Sequence, residues 1–184
     1  MAEIIKLYTP LTKEDMGHLE IGDILELSGT VYTARDAAHK RIRTALAENK
    51  CPPINFENQF IFYAGPCPTK PGRNMGSIAP TTSMRMDPFV EMTFQLGMLG
   101  MIGKGDRSEY IPDLCRKYKG VYLLSIGGAS AMISNQVKKC DVVAYEDLGT
   151  ESIKKLTVEN LRLIVGIDAK GNVFQNRGIA KYRR

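Results

Sequence analysis

Residues 24–48 read ILELSGTVYTARDAAHKRIRTALAE, and their period changes midway. Ile24, Glu26 and Ser28 alternate with Leu25 and Leu27, which predicts a strand over Ile24–Tyr32. From Asp36 to Glu48 the apolar residues Ala37, Ala38, Ile42, Ala45 and Leu46 recur at helical spacing. A strand feeding directly into a helix is the building unit of an α/β domain. Working outward, Gln59–Tyr63 reads as a buried strand, Phe89–Met101 as an apolar helix and Pro112–Tyr118 as a shorter helix. GVYLLSIGGASAM (120–132) gives a strand, a glycine turn and then helix-forming small residues. DVVAYED (141–147) predicts a further strand, and LRLIVGIDAKGNVFQN (161–176) two strands joined at a tight turn around Ala169–Asn172. The expectation is one α/β domain over residues 1–184, with short strands in a partly antiparallel, mixed sheet.

The stretch Gly65–Asp87, GPCPTKPGRNMGSIAPTTSMRMD, interrupts this pattern. Pro66, Pro68, Pro71 and Pro80 fix φ, while Gly65, Gly72 and Gly76 permit close backbone approaches. With few residues suited to a core, it reads as a shaped loop that carries chemistry. Placing Pro80 in the first turn of a helix puts Thr81 and Arg85 on one face near a helix N-terminus, where anions are favoured.

Composition narrows the function classes. A chain of 184 residues with 43% hydrophobic and 24% charged side chains is long and apolar enough for a self-sufficient core. The net charge of +5 is modest, and no basic block is interleaved with stacking aromatics, so nucleic acid is not the expected partner. No apolar run approaches the roughly 20 residues of a membrane span, and the first residues do not form a signal peptide. Cys51, Cys67, Cys115 and Cys140 are scattered without Cys-x-x-Cys or zinc spacing. They read as reduced thiols of a cytoplasmic protein, with no metal site in this chain.

The residues themselves leave several roles open. Arg35 follows a strand, where it serves as either a salt-bridge partner or a ligand clamp. Asp36 precedes Ala37 and reads foremost as a helix cap, with a supporting role behind the site as the alternative. His39, four residues from Arg35, is a packed residue or a proton-handling group behind it. Thr82 and Ser83 read as capping hydroxyls, and Thr81 as a base only where its surroundings stabilise an alkoxide. Lys104, between Gly103 and Gly105, is a solvated turn lysine or a ligand cation. Gly127, Gly128 and Ser130 form a packing turn or an anion-binding one. Glu146, Asp147 and Glu151 form an acidic cluster suited to solvent or a subunit contact.

Four runs, TARDAAHKR (33–41), the Gly65–Asp87 loop, SIGGASA (125–131) and DLGTESIKKLTVENLRLIVGIDAKGN (147–172), closely resemble one family. It is the beta subunit of iron-sulfur-dependent class I fumarases and L-tartrate dehydratases, and the resemblance spans nearly the whole chain. It implies a swivelling β/β/α domain that supplies half of an active site. Arg35, Arg85 and Lys104 would hold a dicarboxylate, and Thr81 would take the C3 proton together with an acidic residue of an alpha subunit. That subunit would carry a [4Fe-4S] cluster acting as a Lewis acid on the leaving hydroxyl, in an αβ or α2β2 assembly. L-malate and fumarate are the expected substrates. L(+)-tartrate is the alternative within the enzyme class, and a non-catalytic dicarboxylate-binding module the alternative outside it.

Overall fold

The computed structural model describes residues 3–69, 72, 75–126 and 128–182; Pro71 and Gly127, named in the loop and turn readings above, lie outside them. Seven strands alternate with helices. In chain order they are β1 (Ile4–Tyr8), α1 (Lys13–Gly17), β2 (Ile24–Thr33), α2 (Asp36–Ala47), β3 (Phe60–Phe62), α3 (Asp87–Gln95) and β4 (Gly100–Gly103). There follow α4 (Ile111–Tyr118), β5 (Val121–Ser125), α5 (Ser130–Gln136), β6 (Val137–Ala144), β7 (Ile153–Ile167) and α6 (Phe174–Tyr182).

The strands β1 to β5 are parallel neighbours, and β7 runs antiparallel to β5, β6 and β2. Pairing β7 with both β5 and β2 closes the sheet into a barrel-like ring. Two strands are long enough to serve two neighbours on one edge. Residues 24–28 of β2 pair with β1, and Tyr32 and Thr33 with β3, while its other edge follows β7. The predicted α/β class and mixed sheet are thus present.

Alternation along the parallel strands sorts the core into two faces. Phe60, Phe62, Ile102, Val121 and Leu123 join Leu25, Leu27, Leu161, Leu163 and Val165 in one buried cluster, the inside of the ring. Ile61, Tyr63, Met101 and Tyr122 point the other way, onto Ala38 and Ile42 of α2, Val90 and Phe94 of α3, and Ile111 and Cys115 of α4. Burial on both faces explains why FIF, GMIG and VYLLS read as continuous apolar runs.

Several expected elements differ. The strand predicted over residues 141–147 begins earlier, at Val137, and ends at Ala144, before a 3-10 turn at Glu146–Glu151. The helix predicted over Phe89–Met101 stops at Gln95, because Gly97 takes φ 96° and the chain turns into β4. The residues 161–176 are not two strands. β7 is a single strand that already begins at Ile153, and the chain beyond the turn makes one bridge, Val173 to Ile167, before entering α6. The turn itself is where it was expected: the Asp168 carboxylate accepts from the Lys170 and Asn172 N–H groups, both at 2.9 Å. Finally, the Gly65–Asp87 loop does contribute to the core, since Met75 and Ile78 are buried against the ring interior. Gly76 is needed there, because a Cβ would lie 2.1 Å from the Cys67 carbonyl oxygen.

Candidate functional site

The parallel registers align the C-terminal ends of β2, β3 and β4, the rim at which open α/β sheets take ligands. Arg35 and Asp36 follow β2, Tyr63 to Gly65 follow β3, and Lys104 follows β4. The Gly/Pro loop leaves this rim at Gly65 and returns to it. Pro80 bridges Ala64, the Thr81 N–H donates to the Tyr63 carbonyl at 2.7 Å, and Thr82 bridges Lys104. Thr81 and Thr82 therefore lie as an extended segment between the ends of β3 and β4.

This extended path corrects the expectation that Pro80 starts a helix. A 3-10 turn begins only at Ser83, and Pro88 occupies the first turn of α3. Thr81 and Arg85 still meet, because the 3-10 turn brings the guanidinium back: Arg85 Nη1 donates to Thr81 Oγ1 at 3.3 Å. The other edge of the same guanidinium grips Asp36, with Nε to Oδ1 at 3.1 Å and Nη2 to Oδ2. Arg85 is half exposed and Asp36 largely covered.

Asp36 is therefore not the cap of α2; its carboxylate is turned to Arg85. The Ala37 N–H in the first turn of α2 is satisfied instead by Glu151 Oε2 at 2.9 Å, reached from the turn before β7. The second oxygen, Oε1, pairs with Arg35 Nη2 at 3.4 Å. Asp147 forms a two-pronged pair with Arg41. Two of the three members of the acidic cluster thus bind α2 and its flank, a role without a local sequence signal.

Thr82 makes no side-chain cap bond at the 3-10 turn. Ser83 is buried, and its Oγ accepts the Lys104 N–H at 2.9 Å and meets the Tyr122 hydroxyl at 3.0 Å. Burial pushes the Tyr122 phenol up to about 12, so it stays protonated as a donor. The Ser83 N–H in turn donates to the Lys104 carbonyl at 3.1 Å. Gly103 is required beside this contact, since a Cβ would fall 1.9 Å from Ser83 Oγ. Lys104 is thereby fixed by its backbone, while its ammonium has no hydrogen bond or ion pair among the described residues.

His39 lies at the rim of α2 but turns inward. Its ring stacks on Phe89 at 5.4 Å between centroids and meets Tyr63 edge-on at 5.7 Å. Nδ1–H donates to the Arg35 carbonyl at 2.8 Å, Nε2 has no partner among the described residues, and burial lowers the pKa to about 4. His39 thus touches Arg35 through backbone, away from the guanidinium. Beneath the site lies an ion pair that the sequence reading missed: Arg107 Nε donates to Asp87 Oδ1 at 2.7 Å, with both side chains almost fully buried. Asp87 Oδ2 also accepts the Ser108 N–H at 2.7 Å, and the guanidinium lies 4.5 Å from the Tyr122 ring centre. An aspartate just before Pro88 was a usable sign of a helix start, but nothing local marked Arg107 as its partner.

Chemically, the rim offers three cations, a hydroxyl touched by one of them, and two carboxylates that hold two of the cations in place. Such a set suits a small anion with more than one carboxylate. Among the described residues, no group of three or more His, Cys, Asp or Glu side chains converges as a metal site would. Cys51 and Cys67 are exposed, Cys140 is half-buried and Cys115 is buried, and since no three of them converge among the described residues they offer no cradle for an iron-sulfur cluster. No helix among the described residues is long and apolar enough to cross a membrane.

Comparison with known proteins places the chain in a family. Fumarate hydratase 1, mitochondrial, of Leishmania major is 38% identical over 178 residues, covering 94% of this chain and 32% of that protein. Fumarate hydratase class I, anaerobic, of Escherichia coli (strain K12) is 40% identical over 152 residues, covering 82% of this chain and 28% of its own length. The L(+)-tartrate dehydratase subunit beta of Escherichia coli (strain K12) is 35% identical, covering 97% of this chain and 90% of that subunit. The chain spans about a third of the length of the fumarate hydratases it matches. The profile of the family described as Fumarase C-terminus matches residues 1–178, nearly every residue that builds the ring and its rim, and the chain belongs to that family.

Proposed function

We propose that this chain is the substrate-clamping and proton-accepting part of a hydro-lyase that interconverts L-malate and fumarate. The observation that carries the proposal is the Thr81 hydroxyl held by Arg85 at a rim shared with Arg35 and Lys104. Arg35 and Lys104 bind carboxylates of the substrate, and Arg85 contributes its outward donors. Thr81 Oγ1, as an alkoxide, accepts the C3 proton, and the electron pair left on C3 is delocalised into the adjacent carboxylate against these cations. Hydroxide then departs from C2 as the double bond forms.

The residues of this chain do not fit an iron-sulfur cluster, so in this proposal the [4Fe-4S] group belongs to a partner alpha subunit, which also lends an acidic residue beside Thr81. The name of the tartrate dehydratase relatives, subunit beta, supports a partnered arrangement. An αβ or α2β2 assembly, the swivelling β/β/α classification of the ring and its helices, and a cytoplasmic location suited to unpaired thiols complete the reading.

The test is co-expression with the alpha partner under anaerobic conditions, followed by assays on malate, fumarate and both tartrates. Thr81→Ala should lower turnover by about 10² to 10⁴ while a non-reacting dicarboxylate inhibitor still binds. Inhibitor binding weakened as much as turnover would reassign Thr81 to positioning. Turnover of L(+)-tartrate above that of malate would make tartrate the substrate, a reading that the E. coli subunit supports by matching over 90% of its length.

A further inference from the structure

We propose that Asp36 is a positioning residue for the proton-transfer step: it fixes the Arg85 guanidinium so that Nη1 faces Thr81 Oγ1 and stabilises the alkoxide that accepts the proton. The proposal rests on the reading of Thr81 as proton acceptor. A guanidinium has two forks, one formed by Nε with Nη2 and an end-on one formed by the two terminal nitrogens. Asp36 occupies the first fork with both oxygens. Three N–H donors remain, on the two terminal nitrogens, and one of these nitrogens, Nη1, already touches the Thr81 hydroxyl oxygen. A substrate carboxylate that meets Arg85 end-on therefore lies beside Thr81.

The hydroxyl acts as acceptor in this contact, since arginine has no lone pair to offer. Its own proton is therefore directed away from Arg85, and in this proposal it passes to the acidic residue lent by the partner before Thr81 can take another. A donor aimed at the oxygen favours that deprotonated state. Without Asp36 the half-exposed Arg85 side chain would sample several rotamers, and the donor would be absent for much of the time.

Asp36 itself is held in register. It sits in the first turn of α2, the next residue's N–H is fixed by Glu151, and no other cation is paired with its carboxylate among the described residues. Its contribution is therefore expected through Arg85.

The experiment uses the assembled enzyme with its alpha partner. Its variants are Asp36→Asn, Asp36→Glu, Thr81→Ala and the Asp36→Asn/Thr81→Ala double. Asp36→Asn should lower kcat by about 10- to 100-fold with KM changed less than about threefold, and should raise the isotope effect on turnover of L-malate deuterated at C3. Asp36→Glu should recover part of the loss. In the Thr81→Ala background, Asp36→Asn should change kcat by less than about twofold, since the oxygen it serves is gone. A full additional loss in that background, or an effect of either Asp36 variant on KM alone, overturns the role of Asp36 and leaves Thr81 standing. Unchanged turnover in the Thr81→Ala single variant removes the Thr81 reading itself, and this proposal with it.

Discussion

Acidification from pH 7 to pH 5 should weaken the folded chain by about 2 kcal/mol through His39 alone. Burial lowers its pKa to about 4, from the ordinary 6.5 that it regains on unfolding. The unfolded chain therefore binds the extra proton first, and stability falls as pH drops below 6.5, levelling only near pH 4. Between pH 7 and pH 5 the difference in proton binding amounts to about 2 kcal/mol, of a full span of roughly 3. His39→Phe is the comparison, because the aromatic site between Phe89 and Tyr63 accepts a ring of similar size. The Arg35 carbonyl also keeps a donor there, the backbone N–H of residue 39, at 2.9 Å. Urea unfolding followed by circular dichroism at both pH values measures the loss for each protein. The wild type should lose about 2 kcal/mol more than the variant, whereas parallel losses within about 0.5 kcal/mol would refute a neutral buried imidazole.

Ser83→Ala leaves the partly buried Lys104 N–H without its acceptor and should cost about 1 to 3 kcal/mol in the same unfolding assay. A cost below that range would mean that water replaces the hydroxyl. Asp87→Ala strands Arg107, whose side chain is 2% exposed, and should destabilise by about 3 to 5 kcal/mol. An unchanged urea midpoint would show that the guanidinium escapes to solvent. Lys104→Met keeps the stem and removes the charge, so the assembled enzyme should bind a dicarboxylate inhibitor about tenfold more weakly or worse, with an unchanged unfolding midpoint. Equal inhibitor affinity would take Lys104 out of the site.

Where neighbouring residues alone decided the outcome, the sequence was readable. The change of period between Tyr32 and Asp36 located both β2 and α2, because alternation and helical spacing are local properties. Strand β7 was half legible. Its later part, from Leu161, faces the ring interior on alternate residues, but Ile153–Asn160 belongs to the sheet through pairing with β2 and β6, which no local pattern reports. The site divides in the same way. Thr81 and Arg85 are four residues apart and could be paired on paper, even though the predicted helix is a 3-10 turn after an extended segment. Asp36 with Arg85, Glu151 with Ala37, and Arg107 with Asp87 join residues that only the packing of separate elements brings together. For the same reason Asp36 read as a cap: the residue that displaces it from that role arrives from the far end of the chain.

Ring closure also bears on how the molecule is made. The seam between β2 and β7 joins some of the most distant segments of the chain, Ile24 with Ile164 and Thr33 with Lys154, and it has the most extensive pairing in the sheet. A polypeptide emerging in order must hold β2 with an open edge until β7 appears. Such non-local closure slows folding and leaves an unpaired strand available to other chains in the interval. The charge pair of Glu26 on β2 with Arg162 opposite it on β7 offsets that exposure by favouring the strand's own mate.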